Sequence, residues 1–289
     1  MSEWVIGIIG GSGVYALDAL EEAQWIAVDT PWGAPSDELL IGRIGGVKFV
    51  FLPRHGRGHR IPPSQLNYRA NIDAMKRAGC TDLLAVSAVG SLNEEMAPGM
   101  FAIADQFVDR TVSRIGSFFG PGLVGHVSLA DPVCPRLAGM AAAAAAAADA
   151  EVRHGATYVA IEGPQFSTRA ESRLYRQWGC DIIGMTGMPE ARLAREAELP
   201  YALIGMITDY DSWREGDEPD VADIVARLQA NAATARNMIL ELARALPPQR
   251  PASPIDRALD HAVMTAPEAR DPALLARFDA ICPRLIRGD

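Results

Sequence analysis

Two apolar runs in this chain end abruptly in groups that could hold an anion. The first, Val5 to Ile9, stops at Gly10-Gly11-Ser12-Gly13. Glycine permits φ > 0 and lets a ligand approach bare backbone N–H groups, and Ser12 adds a hydroxyl, so the turn suits phosphate. The second, Val47 to Leu52, empties into Pro53-Arg54-His55-Gly56-Arg57-Gly58-His59-Arg60. Arg54 is the anion ligand this concentrated positive loop offers first, because a guanidinium presents a fixed fork of donors. His55 and His59 stand i, i+4, but Gly56 and Gly58 oppose the helix a metal pair would need. A third run, Leu83 to Ala88, leads through Ser87-Ala88-Val89-Gly90-Ser91, again rich in glycine and hydroxyls.

The first loop alone leaves a rival. Gly11, Gly13 and Ala16 fit G-x-G-x-x-A, a variant of the dinucleotide fingerprint, with Asp29 as a candidate ribose ligand. A serine-hydrolase elbow around Ser12 fails, because position 14 is valine where the motif needs glycine.

The elements that must carry these groups alternate. Residues 14 to 23 read as a turn or short helix. Leu39 to Ile44 and Val47 to Leu52 flank Gly45-Gly46, a hairpin signal, since two glycines supply positive φ at both turn positions. Ser64 to Ala78 has helical spacing, with Ser64 as candidate N-cap and Gly79 as C-cap. Further strands are expected at Leu83 to Ala88, Met100 to Ala104, Thr157 to Ile161, Asp181 to Ile183 and Tyr201 to Ile207. Helices are expected through the alanine run 141 to 148, over Thr168 to Trp178, from Pro189 to Glu198 and over Val221 to Ala245. Residues 110 to 135 form a long loop region, usually functional or intersubunit. Strands alternating with helices, each strand emptying into polar loops, predict an α/β fold: one domain with a twisted mixed sheet surrounded by helices. That domain spans residues 1 to 247, and 248 to 289 is a proline-rich linker with a helical C-terminal appendage.

Composition narrows the partners. The 289 residues are 49% hydrophobic and 22% charged, with net charge −9. A surface for nucleic acid is disfavoured, and any anion must be held by a local cluster. Cys80, Cys134, Cys180 and Cys282 lack C-x-x-C spacing, so buried free thiols are expected, with no zinc site and no disulfide scaffold. No run reaches membrane-spanning length and no basic, apolar leader is evident, so a cytoplasmic protein without a membrane partner is expected.

Taken in order, the motifs resemble the trimeric purine nucleoside phosphorylase family from about Ile6 to about Ala245. The resemblance is carried by Ile6 to Gly13, Arg54-His55-Gly56, Asn67-Tyr68-Arg69-Ala70-Asn71, Ala88 to Leu92, Glu162-Gly163-Pro164, Met185 to Glu190 and Thr208 to Asp211. It implies phosphorolysis of a purine nucleoside: inorganic phosphate as co-substrate, no cofactor and no metal. By the same resemblance Ser12, Arg54, His55, Ser87, Ala88 and Thr186 surround the phosphate, Ala88 through its amide. Preorganised donors of this kind orient a dianion for attack on C1'.

Resemblance also points to the substrate. Family members acting on 6-oxopurines place glutamate where Ser167 stands and asparagine where Asp209 stands. A carboxyl at Asp209 can accept from an exocyclic amine and, if protonated, donate to N7 of departing adenine, with Asp211 assisting. Val221, Ile224 and Val225 share a helix face and would form an apolar wall at the 5' end, which favours a methylthio group over a hydroxyl. Met185 would lie against the ribose, and His126 would reach the 5' substituent of a neighbouring subunit. The expectation is therefore a homotrimer, or trimers paired, that cleaves 5'-methylthioadenosine. The nearest alternative is a phosphorylase of 6-oxopurine nucleosides or methylthioinosine, and a more remote one is a binding protein without turnover.

Overall fold

A computed structural model describes residues 3 to 11, 13 to 214 and 221 to 287, without the side chain of Val221. Among the described residues nine strands form one mixed sheet: β1 (Val5–Gly10), β2 (Glu21–Ile26), β3 (Leu39–Ile44), β4 (Val47–Pro53), β5 (Asp82–Ser91), β6 (Phe101–Asp109), β7 (Val152–Ala160), β8 (Ile182–Gly184) and β9 (Tyr201–Asp209). Their order is β2-β3-β4-β1-β5-β8-β7-β6-β9, and β9 pairs back onto β5. The last five strands therefore close into a ring, a closure that strand-by-strand patterning does not reveal. Around the sheet lie α1 (Tyr68–Arg77), α2 (Pro135–Ala147), α3 (Arg169–Gln177), α4 (Gly187–Glu196), α5 (Val221–Ala245), α6 (Pro272–Ala276) and α7 (Pro283–Arg287). The expected mixed α/β sheet surrounded by helices is borne out.

Apolar residues on both faces of the central strands explain the layering. Ile6 and Ile8 of β1 pack into one core with Leu137 and Ala141 of α2 and with Met238, Ile239 and Leu242 of α5. Ile9 faces the other core, with Ile72 and Met75 of α1 and Ala191 and Leu193 of α4. Each fully buried aliphatic side chain contributes roughly 1.5 to 3 kcal/mol, so β1 is fixed from both sides. The alanine run in α2 gives a thin surface that lies directly against α5.

Two local expectations need revision, and two others hold. Residues 21 to 26 form an edge strand, because pairing with β3 orders a segment whose six residues are all exposed and carry no apolar alternation. α1 starts at Tyr68 with Asn67 as N-cap, its side chain accepting from the Ala70 amide; Ser64 lies in a separate 3-10 turn. Gly79 follows α1 at φ +88, as expected for a helix stop. The Gly45-Gly46 hairpin forms with φ of +57 and +82.

The chain beyond α5 returns to the sheet. Arg250 donates to Asp82 and Asp256, and Arg136 also pairs with Asp82. Ile255 joins one core, while Leu259, Phe278, Ile281 and Cys282 join the other. All four cysteines are buried and unbonded. Among the described residues no helix is long and apolar enough to cross a membrane.

Candidate active site

Sheet register brings three strand exits level. Gly10 pairs with Pro53 on one side and Val86 on the other, so Gly11, Arg54 and Ser87 stand abreast just beyond. The Arg54 amide donates to Gly10 O at 2.9 Å, which fixes the two loops together. Ser12 lies outside the described residues. Gly13 follows at φ +97, and its carbonyl accepts from Arg236 Nη1 of α5 at 2.7 Å. The dinucleotide alternative fails here: among the described residues no helix follows β1 to receive a pyrophosphate, residues 13 to 20 running through turns to edge strand β2, and Asp29 is exposed in the loop after it.

Arg54 is 1% exposed and is held on all sides. Its Nε and Nη2 donate to Glu190 Oε2 and Oε1 at 2.9 and 3.2 Å, Nη1 to Val86 O and Nη2 to Ile9 O. Burial would pull the guanidinium down, but the Glu190 carboxylate more than offsets that, so the charge stays on. His55 Nδ1 lies 2.9 Å from Ile61 O, and its ring stacks on His59 with centroids 4.2 Å apart. A carbonyl can only accept, so Nδ1 carries the hydrogen. Burial, reinforced by the nearby charges of Arg54, His59 and Arg114, lowers the His55 pKa to about 4. The rest of the basic loop is engaged elsewhere: Arg57 pairs with Asp37 and Glu38, and Arg60 lies 4.0 Å from Asp37.

Just past β8, the neighbour of β5 in the ring, Thr186 meets Ser87, their hydroxyl oxygens 3.3 Å apart. The amides of Thr186 and Gly187 both donate to the buried Tyr158 hydroxyl at 3.3 Å, which sets the turn into α4. Ala88 is half-buried beside Ser87, level with Met206 of β9.

Two residues further along the β5–β9 pairing, Gly90 stands opposite Asp209. A Cβ at Gly90 would come within 3.2 Å of Asp209 Oδ2, so glycine gives the carboxyl its room. Asp209 accepts from the Thr208 hydroxyl at 2.6 Å and from the Asp211 amide at 3.0 Å. Burial raises its pKa from the ordinary range against those two donors. Asp211 sits at φ +47, buried, and burial pushes its carboxyl up to about 6. Ser167 is tied to this end through Ser212, whose hydroxyl donates to Ser167 O at 2.9 Å. Ser167 Oγ and Asp211 Oδ2 are buried without a hydrogen-bond partner among the described residues. Such atoms call for a polar partner. Met185 packs on Gly163, where φ is +65 and a Cβ would stand 2.5 Å from the Met185 sulfur.

Ile224 is half-buried on α5 and Val225 is 46% exposed, while the side chain of Val221 lies outside the described residues. His126 is exposed on the long loop, its amide donating to Ala262 O of the C-terminal segment at 2.8 Å. Among the described residues no hydrogen bond joins His126 to the strand exits.

Two residues escape sequence reasoning. Glu190 reads as an acid at a helix start, yet it is the Arg54 counterion and also accepts from Tyr201 at 3.0 Å. Arg114, buried within the long loop, donates to the carbonyls of Ile161, Glu162, Met185 and Met188 and to the Tyr68 hydroxyl. The only available signal was a lone arginine in a loop too long to be idle. Among the described residues no cluster of three or more His, Cys, Asp or Glu could hold a metal ion.

Comparison with known proteins places this geometry. The model of the phosphorylase superfamily matches residues 5 to 244. The S-methyl-5'-thioadenosine phosphorylase of Cereibacter sphaeroides is 58% identical over 98% of this chain and 99% of its own length. That of Bradyrhizobium diazoefficiens is 54% identical over the whole of both chains. Among solved structures, a methylthioadenosine phosphorylase from an antarctic soil metagenomic library is 44% identical, with a TM-score of 0.93 over 98% of this chain and all of that one. With the fold and these relatives in agreement, the chain belongs to the phosphorylase superfamily, and within it to the S-methyl-5'-thioadenosine phosphorylases.

Proposed function

We propose that this protein cleaves 5'-methylthioadenosine with inorganic phosphate, releasing adenine and 5-methylthioribose 1-phosphate. The observation that supports the site assignment is that Asp209 and Asp211, both with carboxyls raised by burial, stand at the end of β9, which pairs with the β5 strand that carries Ser87, while Thr186 follows β8 in the same ring and Arg54 leaves β4 outside it. Phosphate sits among the exits of β1, β4 and β5 and the start of α4, with Ser12, Arg54, His55, Ser87, the Ala88 amide and Thr186 as donors. The purine lies toward Asp209, Asp211 and Ser167, and the buried Ser167 Oγ and Asp211 Oδ2, which have no hydrogen-bond partner among the described residues, suit its polar edge.

Chemistry follows from that arrangement. Phosphate approaches C1' as the bond to N9 lengthens, and the electron pair passes to the base. Protonated Asp209 donates to N7, becoming a carboxylate, so adenine leaves neutral. The raised pKa of Asp209 favours this role, because it increases the fraction that holds a proton near neutral pH. Met185 and the face of Val221, Ile224 and Val225 accommodate the ribose and methylthio group. The protein works without a cofactor in the cytoplasm as a homotrimer, His126 serving a neighbour's site.

The test is base release from methylthioadenosine, adenosine, inosine and methylthioinosine, each with and without phosphate. Adenine formed only with phosphate, and fastest from methylthioadenosine, is the expected result. Faster release of hypoxanthine would overturn the assignment of Asp209 and Ser167 to a 6-aminopurine.

A further inference from the structure

We infer that Glu190 is a positioning residue that cancels the charge of Arg54, leaving the phosphate cradle nearly neutral so that the bound dianion keeps its own charge for the ribosyl cation of the transition state. This deepens the proposed function and rests on Arg54 and its neighbours being the phosphate cradle. Arg54 and Glu190 are each 1% exposed and joined by two hydrogen bonds. Four of the five guanidinium N–H groups are engaged by Glu190, Ile9 and Val86, which leaves one on Nη1 for a ligand. Tyr201 holds the same carboxylate from β9, so three elements determine where that N–H points.

The other cradle groups add little charge. His55 carries its hydrogen on Nδ1 toward Ile61 O, which leaves Nε2 bare in the neutral ring. Its lowered pKa keeps that ring neutral near pH 7. Ser87, Thr186 and the Ala88 amide are dipoles. Nearby, Arg114 is paired with Glu162, while Arg236 donates to the Gly13 carbonyl, which occupies an N–H without cancelling its charge. The groups proposed to touch phosphate thus orient it with little net charge of their own.

The consequence is differential binding. While the C1'–N9 bond breaks and the C1'–O bond is still long, the ribose carries positive charge. A dianion facing an uncancelled guanidinium would bind more tightly in the ground state and attract that cation less. A dianion in a neutral cradle binds less tightly at rest and gains most in the transition state.

The test compares wild type, Glu190→Gln and Glu190→Asp as full chains, with methylthioadenosine and inorganic phosphate varied at low and high potassium chloride. Glu190→Gln is expected to lower the phosphate KM about tenfold and kcat about a hundredfold, with the nucleoside KM within about twofold. Glu190→Asp, which keeps the charge, should hold the phosphate KM within about threefold of wild type. A phosphate KM that rises in Glu190→Gln, as a merely structural role would give, overturns the inference. If Glu190→Gln fails to fold, wild type decides: a phosphate KM nearly flat with salt supports a neutral cradle, and one rising several-fold overturns it. Adenine release without phosphate would instead sink the proposed function itself.

Discussion

The hydroxyl of Thr208 stands 2.6 Å from Oδ1 of Asp209 and 3.2 Å from the carbonyl of Val89. It has one hydrogen for two acceptors, one of them the proposed acid and the other on the neighbouring strand of the ring. Donation to Asp209 stabilises the carboxylate and so works against the rise that burial produces.

Replacing Thr208 by valine should therefore let Asp209 hold its proton to higher pH. The alkaline limb of the kcat profile moves up, and loss of the hydrogen bond costs about 1 kcal/mol of stability. A pH–rate profile against wild type checks the direction; a limb that moves down would remove Asp209 from the acid role.

Asp209→Asn leaves the shape and removes the proton. Adenine release is expected to fall roughly a hundredfold or more, since positioned acids contribute about 10² to 10⁴. Preference should move toward 6-oxopurines, to which an amide can donate. Competition between methylthioadenosine and inosine measures this, and unchanged selectivity would sink the assignment.

At Gly163 the backbone lies at φ +65, and a Cβ would stand 2.5 Å from the Met185 sulfur. Gly163→Ala should strain the turn by about 1 to 2 kcal/mol and push Met185 off its seat. Nucleoside KM rises while phosphate KM stays within about twofold, a split that initial-rate kinetics resolves. Equal changes in both would argue against Met185 lying on the ribose side.

His55 links the site to stability. Its folded pKa of about 4 lies below the ordinary 6.5, so between those values the unfolded chain takes up a proton that the folded ring refuses. The contribution is fully present above 6.5 and is lost as pH falls toward 4, a difference on the order of 3 kcal/mol. Denaturant unfolding from pH 7 to pH 5 should show a slope that His55→Gln reduces.

Asp82 is fully buried between Arg250 and Arg136. Asp82→Asn leaves Arg136 without its carboxylate and Arg250 with that of Asp256 alone, and should destabilise the protein by roughly 3 to 5 kcal/mol. Limited proteolysis should then cut first near residues 247 to 253. Retained protection would show that Ile255 and Phe278 suffice to hold the C-terminal segment.

Much of this was legible locally. The Gly45-Gly46 hairpin and the span of α5 follow from turn chemistry and periodicity, and the glycine- and hydroxyl-rich strand exits mark the side of the sheet where ligands belong. β2 was not legible, because its six residues face solvent and only pairing with β3 makes them a strand. Nor was the partnership of Arg54 with Glu190, which joins residues 136 apart and leaves no mark in local spacing. Asp209 could be picked out by motif, but its raised pKa is a product of burial that only the folded chain supplies.

The closed ring of β5, β8, β7, β6 and β9 has a bearing on how the chain is made. β5 leaves the ribosome long before β9, the strand it pairs with over most of its length. Until residue 209 has been synthesised and released from the exit tunnel, a long apolar strand waits with a bare edge. Because β9 also carries Asp209, the event that covers this edge also brings in the carboxyl proposed as the acid. A nascent chain stalled before it would lack that group and be prone to aggregate.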